Sequence, residues 1–407
     1  MKFKRMVSFI LSALLVLVLP SCSATDETTH TPLPPSATPD EITSLKADTL
    51  TDLTCLYSTS SDSCYTADSI WIDDSKEDYL AYERALLDRF ETLTEVLNVR
   101  LEPLPIEDGL DSFWTHARLF LDSQDSTIDI IVRPQSFLMP DEMERYFVKR
   151  NTLLTDSGSV ILGDVTGADP YSVLGDFSLT AKSEPIALYL NESLLPKESS
   201  LLEGLPTLIK TGSFTFSEFL KIAKLPLSEG ISPLVTEKNT LEAYLTLAFS
   251  AKTPNDDTVK NAISLLEAQK LVHYHDDPET AFLENRALFI FAPIGSLGIG
   301  RPLRAVWNTT VALPLPKENP AASYNTCYSE RLDLYSISNY SDHPVLAAAA
   351  LAYLDHAADD ALSEAFYHDL YACRCPCIRS EIWKETVKVY ENDTLFRLYA
   401  LDKGEKG

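Results

Sequence analysis

Between residues 68 and 133 the chain switches repeatedly between two apolar spacings, and this alternation constrains its fold more than any other feature. Residues 68–72, "DSIWI", are β-branched and aromatic and read as a short buried strand. In the next segment Tyr79, Tyr82, Leu86, Phe90, Leu93 and Leu97 recur every three or four residues, which gathers them on one helix face. Ser75 supplies an N-cap for that helix, with Asp78 three residues on. "VRLEPLP" alternates like a second strand. The helical period then returns through Leu110, Phe113, Ala117 and Leu121, which makes Trp114 on the same helix a core residue. "IDIIVR", closed by Pro134, is the short continuous apolar run of a central parallel strand. Strand, helix, strand, helix, strand is the order of an α/β layer.

What precedes this layer has a different character. Lys2, Lys4 and Arg5 lead into an apolar run over 6–19 that is too short to span a bilayer, so residues 1–21 read as an export signal. Leu19, Pro20, Ser21 and Cys22 resemble a bacterial lipobox, which implies that Cys22 is diacylated and opens the mature chain. Two acyl chains suffice for stable anchoring to the lipid bilayer. The expected location is therefore the extracytoplasmic face of the cell membrane. Residues 22–50, rich in Thr, Ser and Pro, read as a flexible tether. Residues 51–407 exceed what one core usually holds, so two lobes are expected. A formal charge of −26 excludes nucleic acid as a natural partner.

Beyond the first layer the order of motifs resembles the extracellular solute-binding proteins of ABC transporters, in the sugar and oligosaccharide branch. The resemblance covers roughly residues 66–357. Its landmarks are Trp71, Phe90 with "LNVRL", and "TIDIIV", where Asp129 matches and Ile128 replaces the usual proline. "IALYLNESLL" matches at Tyr189, Asn191 and Leu194. "SFTFSEFLKIAKLP" offers Thr215 and Glu218 as a capping box. "AFLENRALFIFAPIGSLG" carries Asn285 and Arg286 where Gly and Lys are usual, "VALPLP" follows, and "DLYSISNYSDHPVLAAAALAYLDH" has Pro344 in its first helical turn.

The resemblance implies a two-lobe, periplasmic-binding-protein-like α/β fold with discontinuous lobes joined by a hinge. Lobe 1 would hold about 66–170 plus a later return segment, and lobe 2 about 180–290 plus the C-terminal helices. It also implies a monomer that captures a small-molecule ligand, a sugar or oligosaccharide being the family's usual cargo, and delivers it to an ABC transporter permease. With only 13 glycines in 407 residues, the family's glycine-rich cleft loops are thinned out. Two alternatives stay open: a relative that has lost transport and serves as a sensor or surface interaction lipoprotein, and a secreted hydrolase.

Candidate ligand contacts follow from these placements. Trp71, ending the first strand, would present an aromatic face to an interlobe cleft, unless it is a core residue. Asp73 would contact a hydroxylated or cationic ligand, although Asp73 and Asp74 equally suit a helix start. Tyr189 and Asn191 share one face of a strand, either at the cleft wall or packed in the hinge. Trp307 would sit in a loop between lobes. "HYHDDPE" spaces His273 and His275 for metal ligation, but an exposed loop is the expected context, and no metal or cofactor is assigned. Besides Cys22 there are six cysteines, Cys55, Cys64, Cys327, Cys373, Cys375 and Cys377, an even number suited to disulfides after export. Cys55 with Cys64, and Cys327 with one of the last three, are the candidate pairings. No nucleophile elbow, zinc-protease helix or phosphate loop is present, so no catalytic residue is assigned and no enzymatic activity is expected.

Overall fold

The computed structural model describes residues 35–392 apart from 59–80, 107–109, 135–139, 164–168, 176–177, 197–199, 252, 299–300, 330–331, 357–361, 363–364 and 368–376. The signal, Cys22, Cys64, Cys373, Cys375 and the 68–72 strand with Trp71 and Asp73 lie outside the described residues.

The chain opens with α1 (Pro39–Thr43), β1 (Thr51–Ser58), α2 (Ala81–Leu97), β2 (Val99–Ile106), α3 (Leu110–Asp122), β3 (Ile130–Pro134), α4 (Pro140–Tyr146) and β4 (Ser172–Val173). It continues through α5 (Leu179–Ser183), β5 (Ile186–Asn191), α6 (Leu201–Lys210), α7 (Phe216–Ala223), β6 (Ser232–Thr236) and α8 (Lys238–Ala248). Next come α9 (Asp257–Ala268), β7 (Val272–Tyr274), α10 (Pro278–Leu283), β8 (Ala287–Pro293) and β9 (Thr310–Leu313). The described part closes with β10 (Asp333–Ile337), α11 (Pro344–His356) and α12 (Cys377–Asn392).

These strands form two five-stranded mixed sheets, ordered β2-β1-β3-β10-β4 and β7-β6-β8-β5-β9. In the first, β1 runs parallel to β2 and β3, and β10 antiparallel to β3 and β4. In the second, β6 is parallel to β7 and β8, and β5 is antiparallel to β8 and β9. The chain thus builds four strands of one sheet, all five of the other, and then returns to insert β10 into the first. This is the expected α/β class, with the first sheet assembled from two separated stretches of sequence. Among the described residues no helix is long and apolar enough to cross a membrane.

The strand that pairs with β2 and β3 is Thr51–Ser58, not the 68–72 segment expected to open the layer. Its polar residues resemble the tether before it, yet it is an inner strand whose alternate side chains serve two cores. Leu53, Cys55 and Tyr57 join the cluster of Leu97, Val99, Ile130 and Leu351, while Leu56 joins Phe113, Ala117, Leu121 and Ile131. Trp114 packs partly buried against that second cluster, as its helical spacing requires.

The tether is also shorter than expected. Residues 36–50 are strapped to the first sheet: Ala37 N donates to Val160 O (2.8 Å) and Ala47 N to Leu97 O (2.9 Å). Thr38 and Glu41 close a capping box around α1, which buries Ile42. Glu41 also accepts from the hydroxyls of Ser157 and Ser159. These bonds hold the Glu41 carboxyl down at about 2, the hydrogen bond from Ser157 being the largest cause. A side chain at Gly163 would strike Ser36, so the strap is closely docked.

Two further details depart from expectation. At α7, Thr215 Oγ1 exchanges with Ser217 Oγ (2.9 Å) and Glu218 pairs with Lys221, so the box does not close. The Phe216 N–H donates to Lys317 O (2.7 Å) instead. Glycine scarcity is met at the helix ends, where Asn98, Gln124, Ser250, Lys270 and Asn285 take the left-handed conformation that glycine usually fills.

Candidate functional site

Strands β6 and β8 run parallel, β6 ending at Thr236 and β8 running on to Pro293. Beyond the carboxyl ends of parallel strands, chain turns diverge and leave a crevice. Here that crevice is a cleft of about 420 Å³, walled by the start of α8, the start of α10, and the short 3-10 helix Ile294–Leu297 that follows β8. Half-buried Tyr244 and Phe291 meet edge to face in its wall, with ring centroids 5.5 Å apart at 74°. Thr236, Asn239, Thr240, Ser296 and Ser329 add hydroxyl and amide groups, and among the described residues the charged ones in the lining are Glu237 and Glu279. Both acids stand at helix starts, where the helix dipole favours a negative charge. An aromatic surface beside several hydrogen-bonding groups suits a small neutral hydroxylated molecule.

The cleft is framed by the segments that carry the chain between sheets. Pro185, entering the second sheet, pairs antiparallel with Tyr328 on the way back to the first. Ile186 N donates to Cys327 O (2.8 Å), and Ser329 N to Glu184 O (3.1 Å). Ser329, which lines the cleft, also donates through its hydroxyl to Glu184 Oε2. Fully buried Glu184 shares this region with Asp333. Burial, and then the charge of Glu184, push the Asp333 carboxyl up to about 8, against a hydrogen bond with Thr180 that lowers it.

The structure separates the residues that sequence reasoning grouped. Tyr189 is fully buried, its hydroxyl 2.9 Å from Pro293 O and 3.0 Å from Ile294 O. Asn191 is also fully buried: its Nδ2 donates to Asn285 Oδ1 (2.9 Å) while its Oδ1 accepts from Ser193 N (3.1 Å). Neither lines the cleft, because β5 is an inner strand covered on both faces. Trp307 lies in the 3-10 helix Pro302–Thr309, part-buried against the core, with the Arg304 guanidinium 5.2 Å from its ring. Trp71 and Asp73 fall outside the described residues.

The described cysteines lie in separate places. Cys55 is a free, buried thiol in β1, and its candidate partner Cys64 lies outside the described residues; burial, reinforced by Asp129, pushes the Cys55 pKa far up. Cys327 is buried in the core of the second sheet, and Cys377 opens α12. His273 lies on β7. His275 accepts from Asp277 N, and Asp277 caps α10 by accepting from Thr280 N. Among the described residues no cluster of three or more potential ligands is found.

The cleft residues Thr236, Glu237, Tyr244, Phe291 and Ser296 were not singled out from sequence. The available signal was positional: "VTEKN" and "APIGS" are both strand-to-helix turns, the place where an α/β sheet leaves a crevice.

No protein-family model matches the chain. No curated protein matches it either. Among solved structures it is similar to an extracellular solute-binding protein family 1 member from Alicyclobacillus acidocaldarius, at 10% identity over 86% of this chain and 88% of that one, with a TM-score of 0.49. It is similar to the galacto-N-biose-/lacto-N-biose I-binding protein of the ABC transporter from Bifidobacterium longum, at 11% identity over 87% and 88% of the two chains, TM-score 0.48. The GacH receptor of Streptomyces glaucescens gives 13% identity over 84% and 82%, TM-score 0.42. At these values the fold stands on the strand order of the chain itself.

Proposed function

We propose that this chain is an extracytoplasmic solute-binding lipoprotein that captures a small hydroxylated ligand in the cleft beyond β6 and β8. The observation that carries this reading is the position of the cleft: it opens at the carboxyl ends of parallel strands and is framed by the segments that join the two sheets. A ligand seated there and touched from both sides stabilises whichever arrangement brings the two sides together, by the energy of the second set of contacts. Tyr244 and Phe291 supply an apolar surface for a sugar ring, and the lining hydroxyls, amide and carboxylates supply hydrogen bonds to its hydroxyls. Delivery to an ABC transporter permease and anchoring through acylated Cys22 complete the reading, following the motif order and lipobox of the sequence.

The test is a thermal-shift screen of the full chain in detergent against mono-, di- and trisaccharides, followed by calorimetric titration. A ligand at a hundred times its dissociation constant adds about 2.7 kcal/mol of stability. Absence of any shift across the panel at 10 mM, on the order of weak saccharide affinities, overturns saccharide capture. Cys22→Ala is expected to release the protein from membranes or leave it unprocessed; a variant that is correctly cleaved and still membrane-bound overturns the anchor.

A further inference from the structure

Arg133 lies one residue from the carboxyl end of β3, and its side chain is fully buried. Alternation along the strand puts it on the face of Ile131, which packs with Leu56, Phe113, Met143 and Phe147. A guanidinium carries five N–H donors and keeps its charge at any pH a folded protein meets. Here Nη2 donates to Asp169 Oδ2 (3.1 Å) and to Ser172 Oγ (2.5 Å). Among the described residues Nε and Nη1 are buried and find no acceptor.

The acid beside it is already shared. Asp169 Oδ1 accepts from Tyr171 N (2.8 Å), and Oδ2 accepts from Ser172 Oγ (2.8 Å) as well as from Arg133. A second guanidinium, that of Arg150, donates to the Asp169 carbonyl (3.3 Å) and is attracted by the same carboxylate. Asp169 thus divides its charge between two guanidiniums, in a place where burial works against any donor or charge left unmatched. Water serves orphan donors but leaves the charge as it was. A small anion answers both.

We propose that Arg133 Nε and Nη1 hold a small inorganic anion of the size of chloride, which completes the bracket between β3, the 169–172 turn and β4. Full burial of the side chain sets the size, since a sugar acid or an organic phosphate needs an open mouth and a halide needs room for one atom. In such dry surroundings a charge-assisted hydrogen bond is stronger than in water. Ser172 opens β4, and its hydroxyl lies 3.4 Å from that of Ser336 on β10, so the anion ties three neighbouring strands from one face. The site belongs to the first sheet, while the ligand cleft opens from the second, and the two stand or fall separately.

Chloride dependence is the test. The full chain in detergent is unfolded in urea at constant ionic strength, with sodium chloride replaced stepwise by sodium gluconate, whose anion is too large to be enclosed. The folded-to-unfolded ratio of the native protein is expected to rise about elevenfold between no chloride and ten times its dissociation constant, as mass action requires of an ion bound by the folded state alone. Arg133→Met, which keeps an apolar stem and removes the donors, is expected to show no such rise. A native protein indifferent to chloride means that water serves the donors and overturns the proposal, as does an equal rise in Arg133→Met. If Arg133→Met does not fold, amide exchange of the native protein decides. Chloride is expected to raise protection of the Tyr171 N–H, held by Asp169 Oδ1, about tenfold, and to leave unchanged that of the Ser232 N–H, bonded to Arg286 O in the second sheet. An equal change at both amides, or none at either, overturns the anion site.

Discussion

The Tyr189 hydroxyl lies 2.9 Å from the carbonyl oxygen of Pro293, so a residue buried in the sheet holds a residue of the cleft wall from behind. A contact of this kind positions the wall without touching what the cleft holds.

The division of labour between the two tyrosines is therefore measurable. Tyr189→Phe is expected to lower unfolding stability by about 1 kcal/mol, the net worth of one buried hydrogen bond, and to change ligand affinity little. Tyr244→Ala is expected to do the reverse, weakening saccharide binding by about 0.5–1.5 kcal/mol at small cost in stability. Urea unfolding and calorimetric titration of both variants give the answer. If Tyr189→Phe loses affinity while Tyr244→Ala does not, the cleft has been assigned to the wrong wall.

Glu41 makes the strap of residues 36–50 sensitive to acid. Its carboxyl is held at about 2 in the folded chain, below the roughly 4.3 of an unfolded glutamate. The contribution is thus complete above the unfolded value and is lost as pH falls from there toward 2. Amide exchange at Ala37, whose N–H bonds to Val160 O, should accelerate in that window in the native protein. Glu41→Gln should show weaker protection at neutral pH and a flatter acid response. Equal responses in the two proteins would mean that the strap is held by packing alone.

Cys55 should resist alkylation. Its thiol is buried in β1 and strongly disfavours ionisation, and the thiolate is the reactive form. Iodoacetamide at pH 8 is expected to leave Cys55 unmodified in the folded protein and to label it fully once urea unfolds the chain. Peptide mapping that finds Cys55 joined to Cys64 would require β1 to open at that residue.

Lys270 pays a conformational cost that glycine would not. It adopts φ +55° after α9, while Leu271 N closes the helix end onto Leu266 O (2.8 Å). Left-handed backbone costs a side-chain-bearing residue about 1–2 kcal/mol, partly offset by the extra freedom glycine has when unfolded. Lys270→Gly should therefore raise stability by about 0.5–1 kcal/mol in urea unfolding. A loss of stability would mean that the aliphatic stem of Lys270 contributes packing that outweighs its backbone.

The legible parts of this fold were those in which one physical signal dominated. α2 and α3 announced themselves by their three-and-four spacing, and β3 by a short apolar run closed by Pro134, while the segments of β5 and β8 were marked only by the family resemblance. β1 was missed because "TDLTCLYS" is as rich in hydroxyls as the tether before it, and only its place between β2 and β3 makes it a strand. Thr54 shows the tertiary character of that decision, since its N–H is held by the Asp129 carboxylate (2.9 Å). The alternation of Tyr189 and Asn191 with leucines was read correctly as a strand. What it could not reveal is that both faces of β5 are covered, which turns a polar face into an internal network. The cleft was invisible for the complementary reason: Thr236, Tyr244 and Phe291 come together only when β6 and β8 become neighbours, and no local spacing records that.

The return of the chain to its first sheet also sets a timetable. Ile130 and Ile337 are register partners, so the edge of β3 waits unpaired while the whole second sheet is synthesised. At about 5–20 residues per second, the roughly two hundred intervening residues take on the order of 10–40 s to emerge. Through that interval the first half of the molecule is an incomplete template that cannot lock, and pairing over such a separation is slow even afterwards. For the export proposed above, this delay is an advantage, because a chain whose strand order postpones pairing stays pliable while it is threaded through a narrow conduit.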